Sequence, residues 1–385
     1  MKVCFITNYA YRLFNQKSQI AFGGIETIFY LIAKDLIRDK RFKASFLLED
    51  DVNKRSATEK INGITLYKTS RQVQPKHYHD RQVEKYNRWF SFWAGKFEWL
   101  WQLPHLDFFR LWERLKQIDA DVYVFASPGY ESSLITLVTK LIRKKSVYIA
   151  ANDELLAKNY SLFFLLRYAD RIICYSPRHQ EILKKKYGIK AVYLPPWFPR
   201  PKKALSLKQR KYCLWVGRIE ARKRPETFIK LAKSLPDLNF LMIMAAAPGE
   251  QGLLKSITAS AAKLPNLKLK QDESFAKLDH YYRRARAFID TSDYKNLNMT
   301  QVQAAYFKLP CMTLFYDPND SFRDYSWGLT AHGNIQKLKK NILAVFKSEK
   351  LWKSLSENGF KFADTVYNRE VNLRVFKDLI LKLSR

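Results

Sequence analysis

This sequence has no G-x-G-x-x-G pattern, no long apolar run and few acidic residues. Without the first, the glycine turn that seats a dinucleotide pyrophosphate is missing, which disfavours a nicotinamide or flavin enzyme. The longest apolar stretch, residues 239–248 (NFLMIMAAAP), falls far short of the ~20 residues that span a bilayer. The chain opens at Met1 straight into KVCFIT, without the basic region, apolar core and cleavage site of a secretion signal, so none is expected. Cysteine is limited to Cys4, Cys174, Cys213 and Cys311, scattered and mostly inside strand-like apolar runs. That usage argues against a disulfide framework or a clustered metal site and for a reducing compartment, the cytoplasm.

Against the scarcity of acids stand 68 Lys+Arg residues, and the net charge is +32. Such a field attracts polyanions: nucleic acid, an anionic membrane surface or phosphorylated small molecules. No RNA-recognition, helix-turn-helix or zinc-finger signature accompanies it, so nucleic acid is not the expected partner. At 47% hydrophobic and 15% aromatic the chain is built to fold. Its 385 residues exceed what a single hydrophobic core holds, which predicts two domains.

Short β-rich runs alternate with helical segments, the pattern of parallel sheets covered by helices. Strands are expected at 2–7, 44–49, 64–68, 121–126, 146–151, 171–175 and 192–194, with helices at 25–38, 132–143 and 177–187. Pro195, Pro196, Pro199 and Pro201 forbid regular structure. A second alternation starts with strand 212–217 and helix 225–234 and runs to strand 311–315, through helix 300–307. The expected organisation is an N-terminal domain over 1–195 rejoined by a C-terminal helix within 366–385, a linker over 196–210, and a second domain over 211–365. Ligands of doubly wound folds bind beyond the carboxyl ends of the strands, so a cleft between the two domains is the expected site. Residues 76–117 break the rhythm: Trp89, Phe90, Trp93, Phe97, Leu100 and Trp101 approximate one helical face among basic residues. Two readings stay open for that stripe, a helix lying in a membrane interface and a helix packed on its own domain.

Two blocks carry chemistry. Gly23 and Gly24 precede a helix with an apolar stripe, and glycines at a helix N-terminus let backbone N–H groups approach a phosphate. Gly217 and Arg218 end a strand, and Lys223 follows five residues after Arg218, just before the next helix. A planar arginine fork with a mobile lysine suits a diphosphate whose charge grows as it leaves.

With FGGIETIFYLIAKDL, DVYVFASPGYESS, YIAANDELL, ADRIICYSPRHQEILKKKYG and WVGRIEARKRPE in that order, the chain resembles retaining GT-B glycosyltransferases of family 4, the glycosyl transferases of group 1. The resemblance spans nearly the whole length. It implies two Rossmann-like, doubly wound α/β domains facing each other across a cleft, a nucleotide-sugar bound mainly by the second and a glycan or lipid-linked acceptor bound mainly by the first. It carries the diphosphate grip and the catalytic electrostatic role onto Arg218 and Lys223, and donor contacts onto Gly23 and Gly24. Retention would proceed by front-face attack, with no cofactor and no metal expected.

The family's two glutamates, eight positions apart, fall on Lys295 and Gln303. Gln303 can hydrogen-bond a ribose hydroxyl; Lys295 can only donate. Asn296, Leu297, Asn298 and Met299 complete the implied donor loop. Asn152 and Asp153 stand where the family often has a histidine beside the cleft, and are the acceptor candidates. Two functions follow: a hexosyltransferase-like enzyme of glycan or glycolipid synthesis, and a catalytically degenerate GT-B protein that binds nucleotide or partner without turnover. The excess positive charge adds an anionic membrane surface as an expected partner, placing the protein in the cytoplasm or peripherally on the inner face of the membrane.

Overall fold

The computed structural model describes residues 1–18, 22–53, 57–69, 105–126, 130–151, 160–201, 205–246 and 249–383. The chain divides into two compact units, one of Met1–Pro196 with Val371–Arg385 and one of Trp197–Glu370.

The first unit is built on eight strands: β1 (Lys2–Ile6), β2 (Lys43–Glu49), β3 (Ala57–Ile61), β4 (Ile64–Thr69), β5 (Val122–Phe125), β6 (Lys145–Ala150), β7 (Arg171–Cys174) and β8 (Val192–Tyr193). Their order is β3-β4-β2-β1-β5-β6-β7-β8. Every pairing is parallel except β3 with β4. Central strands of a parallel sheet are covered on both faces and read as continuous apolar runs; all four residues of β5 are buried. One face is covered by helices His105–Ile118, Tyr130–Leu141, Tyr160–Tyr168 and Pro177–Tyr187, whose Leu115, Val138, Leu165 and Leu183 pack with Tyr123, Tyr148 and Cys174 of the strands. Around β1 the rings of Phe5, Phe29 and Phe46 lie 5.2–5.3 Å apart, pairs that add about 0.5–1.5 kcal/mol each beyond area burial.

The antiparallel β3 departs from the expected plan, and its cause is local. Asn62 and Gly63 both have positive φ (49° and 83°), the two-residue turn whose twist matches a hairpin. The expected stripe over 89–101 lies outside the described residues.

The helix Arg369–Leu383 belongs mainly to the first unit. Phe376, Ile380 and Leu383 are its buried stripe, the Asn372 amide donates to the Pro195 carbonyl at 3.0 Å, and Lys377 Nζ lies 2.9 Å from Asp39 Oδ2. The neighbouring Arg41 and Lys377 cations hold the Asp39 carboxyl well below the usual range.

In the second unit β9 (Tyr212–Ile219), β10 (Asn239–Ala246), β11 (Leu267–Gln271), β12 (Ala285–Asp290), β13 (Cys311–Thr313) and β14 (Gly328–Thr330) form an all-parallel sheet ordered β11-β10-β9-β12-β13-β14. The order reverses between β9 and β12, the point at which doubly wound sheets open a crevice beyond their carboxyl ends. Past 315 the structure adds β14 and the helices Ile335–Lys347 and Glu349–Val366.

The proline-rich stretch is irregular but not a free linker. Trp197 and Phe198 are buried, and so is Arg210, whose guanidinium donates to the carbonyls of Ala285 (3.0 Å) and Phe307 (2.9 Å). Prolines remove donors and helical φ/ψ, yet leave apolar side chains free to pack. Among the described residues no helix is long and apolar enough to cross a membrane.

Candidate functional site

At the reversal in the second unit, β9 ends in Gly217, Arg218 and Ile219, and a 3-10 turn over Ala221–Lys223 brings the chain back. Arg224 closes that turn with φ +46° and Pro225 starts the next helix. The left-handed conformation at an arginine costs about 1–2 kcal/mol; it turns Lys223 back over the strand end. A Cβ on Gly217 would lie 3.0 Å from Lys223 Cδ and 3.2 Å from Trp215 Cη2, so glycine makes the bed on which the lysine stem rests.

The backbone of the turn is tied to the residues that follow β12. Thr291 Oγ1 donates to the Lys223 carbonyl at 2.7 Å and accepts from the buried Trp215 indole N–H at 3.1 Å. Asp293 N donates to the Arg222 carbonyl at 3.0 Å, and Arg222 Nε to Asp293 Oδ1 at 3.2 Å. The Arg222 guanidinium stands 4.2 Å from the Tyr294 ring centroid. Asp290, at the end of β12, organises the loop by accepting from Ser292 N (2.8 Å), Asn298 Nδ2 (3.0 Å) and Gln301 Nε2 (2.7 Å). Gln301 Oε1 in turn accepts from Asn298 N at 2.7 Å, fixing the start of the helix Met299–Tyr306.

Charge at this spot is unbalanced toward the positive. Burial lowers the pKa of Lys223, against the attraction of Asp290 and Glu220 and with the repulsion of Arg218. Arg218 Nη2 reaches Glu220 Oε2 only at 4.0 Å and keeps 38% of its side chain exposed. Asp290, the buried carboxylate at the end of β12, gives its lone pairs to amide and backbone donors. A desolvated ammonium gains most from an anion brought to it.

Lys295 lies in the same loop, exposed, its carbonyl accepting from Asn319 N at 3.1 Å and its ammonium 5.1 Å from the Tyr316 ring. Asn296, Leu297 and Met299 are half-buried beside it, while Gln303, 9% exposed, sits in the second turn of the helix.

Residues 199–362, a span inside the second unit, match the family model for glycosyl transferases group 1. Solved structures match over the whole chain. Sucrose-phosphate synthase from Thermosynechococcus elongatus superposes with a TM-score of 0.69 at 13% identity, covering 100% of this chain and 99% of that one. Anabaena HepE in complex with UDP-glucose gives 0.70 at 13%, covering 99% and 100%. The α,α-trehalose-phosphate synthase (UDP-forming) from Burkholderia vietnamiensis gives 0.66 at 10%, covering 99% and 100%. The chain has the GT-B fold. No curated protein sequence matches it. The family model matches within the second unit, and the structural likeness over the whole chain shows the fold.

The GT-B chain brings Arg218, Lys223 and Asn298 into one hydrogen-bonded and electrostatic cluster through Asp290 and Glu220. Trp215, Asp290, Thr291, Tyr294 and Gln301 belong to it as well and are not among the residues expected from sequence; only the strand-end position of Asp290 marks it there. Gly23 and Gly24 belong to the first unit and start the helix Gly24–Leu36. Gly23 N donates to Glu26 Oε2 at 2.7 Å, and Thr7 Oγ1 to Glu26 Oε1 at 3.1 Å, while Gly24 is exposed. Asn152 and Asp153 lie outside the described residues.

Proposed function

We propose that this protein transfers a sugar, with retention, from a nucleoside-diphosphate sugar to an acceptor hydroxyl in glycan or glycolipid synthesis. The observation that carries the reading is Lys223: desolvated, laid across Gly217 and pinned through its carbonyl by Thr291. UDP is the nucleotide the neighbours favour, since the HepE structure holds UDP-glucose and the trehalose-phosphate synthase is described as UDP-forming. The four buried free thiols fit a reducing cytoplasm.

In the proposed reaction the acceptor oxygen bonds to the anomeric carbon on the face from which the diphosphate departs. The bond from that carbon to the diphosphate oxygen breaks, and the acceptor proton passes to the leaving diphosphate. Arg218 and Lys223 stabilise the charge that grows on that group. Preorganised donors of this kind are worth about 10²–10³-fold each. Gly23 and Gly24 are proposed as further donor contacts, Lys295 and Asn296–Met299 as the loop toward the sugar, Gln303 as a ribose contact, and Asn152 and Asp153 on the acceptor side.

Lys295 favours a second reading, nucleotide binding without turnover, because an ammonium accepts no bond from a sugar hydroxyl. A thermal-shift screen against UDP-, GDP-, ADP- and CMP-sugars, followed by a transfer and hydrolysis assay, separates the two. Ligand at 100 times its Kd stabilises a protein by about 2.7 kcal/mol, and the Arg218→Ala/Lys223→Ala protein should lose that response. Binding without product points to the degenerate protein; no shift with any nucleotide removes both readings.

A further inference from the structure

The first unit gathers cations at the amino ends of β6, β7 and β8, which are neighbours in the sheet. Each strand is entered from the C-terminus of a helix: Tyr130–Leu141 leads to β6, Tyr160–Tyr168 to β7 and Pro177–Tyr187 to β8. Adjacent strands lie about 5 Å apart, so these three entry turns sit side by side on one edge.

The carboxylates of this edge are already engaged. Asp170 Oδ1 holds Lys140 at 2.8 Å and Lys145 at 3.8 Å; Asp119 holds Lys144 at 2.7 Å and Lys2 at 2.8 Å; Glu181 holds Lys185 at 2.6 Å. Burial alone would raise the Asp170 carboxyl, but bonds from Lys140 and Ser146 outweigh it and keep it ionised. Arg143, Arg167, Lys184 and Lys190 are exposed and have no carboxylate partner among the described residues.

Cations at helix C-termini complement the backbone dipole, and that would account for charge alone. It does not account for two large apolar side chains in the same turns: Leu141 and Tyr168 are each 51% exposed, on helices that pack against each other. The Tyr168 ring leans on Phe164, centroids 4.7 Å apart, and so stands fixed toward solvent.

We propose that this edge docks the protein on an anionic lipid surface, the four unpaired cations facing the headgroups and Leu141 and Tyr168 entering the interface. Charge complementarity selects an anion-rich partner. The paired apolar groups select a bilayer over a nucleic acid, which would use the tyrosine face and leave Leu141 in water.

Sedimentation of the full chain with vesicles of equal parts phosphatidylglycerol and phosphatidylcholine, at low and high salt, tests this. The protein should bind these vesicles and not pure phosphatidylcholine. Arg143→Glu/Arg167→Glu/Lys184→Glu/Lys190→Glu should weaken binding at least about 100-fold, from the contribution of each cation near an anionic surface. Leu141→Ser/Tyr168→Ser should weaken it severalfold and make what remains fully salt-reversible. Circular dichroism and thermal melting verify that both variants fold, and neither should change the nucleotide thermal shift, which reports on the second unit. The proposal is overturned if the wild-type protein ignores acidic vesicles, if the charge-reversed variant binds them as tightly, or if single-stranded RNA competes the protein off vesicles and the Leu141/Tyr168 variant binds them unchanged.

Discussion

Both units set their first strand beside the strand at which the sheet order reverses, and they finish that junction with opposite chemistry. In the first unit β1 pairs with β5 and runs into Thr7 and Asn8. The nearby helix start is answered from within: Glu26 takes the Gly23 N–H and the Thr7 hydroxyl. In the second unit β9 pairs with β12 and runs into Gly217 and Arg218, where Lys223 is desolvated and, among the described residues, no carboxylate forms an ion pair with it. One fold thus supplies the same strand-end junction twice, with a carboxylate placed beside one and cations gathered at the other. A helix N-terminus carrying its own carboxylate has part of its demand for negative charge already met.

The largest expected effect comes from removing that asymmetry. Lys223→Ala should lower transfer about 10²–10³-fold and abolish the thermal shift with UDP-sugars; a variant that keeps both would show that the cationic junction is not the donor grip. Next comes Gly217→Ala, which leaves the charges in place but raises the bed of the lysine. The Cβ would meet Lys223 Cδ at 3.0 Å and Trp215 Cη2 at 3.2 Å, overpacking that costs about 1–3 kcal/mol. Donor affinity should fall about tenfold, read as a weaker nucleotide-dependent shift, on a protein that still melts cooperatively.

The pH dependence follows from the same lysine. Its folded-state pKa lies below the usual 10.5, so on raising the pH it loses its proton before an exposed lysine would. Nucleotide affinity should therefore decline on the alkaline side, beginning below pH 10.5. The stability penalty of this partly buried charge is fully present below the folded-state pKa and is relieved as pH rises through it toward the unfolded value. Titrating UDP binding by calorimetry between neutral and alkaline pH measures the first effect; the Lys223→Ala protein should lack it.

How far this contrast was legible differs from residue to residue. Gly217, Arg218 and Lys223 are close in sequence at a strand end, and a motif so local declares itself. The alternation of strands and helices likewise follows from apolar period, and the C-terminal helix from its amphipathic stripe. Thr291 and Trp215 do not show: they act on Lys223 and on each other across 68 and 76 residues, a pairing made only when β9 and β12 align. Arg210, at the end of the expected linker, is fixed in the same nonlocal way, by carbonyls at 285 and 307. The β3–β4 hairpin was readable in Asn62-Gly63, a dipeptide whose turn preference is local.

Thr291→Val tests the support beneath the cationic junction. Valine keeps the volume but leaves the Trp215 N–H and the Lys223 carbonyl without their partner, and orphaning such buried groups costs about 1–3 kcal/mol. The melting temperature should fall and nucleotide affinity with it. Asn8 makes the counter-test in the first unit. It is 2% exposed, and among the described residues neither its amide nitrogen nor its amide oxygen has a partner. Its desolvation is therefore uncompensated, and Asn8→Leu, similar in volume, should leave stability unchanged or raise it by up to about 1 kcal/mol. A thermal melt of both proteins decides. If Asn8→Leu lowers the melting temperature as much as Thr291→Val does, the two junctions are held by polar networks alike, and the difference between them narrows to the lysine alone.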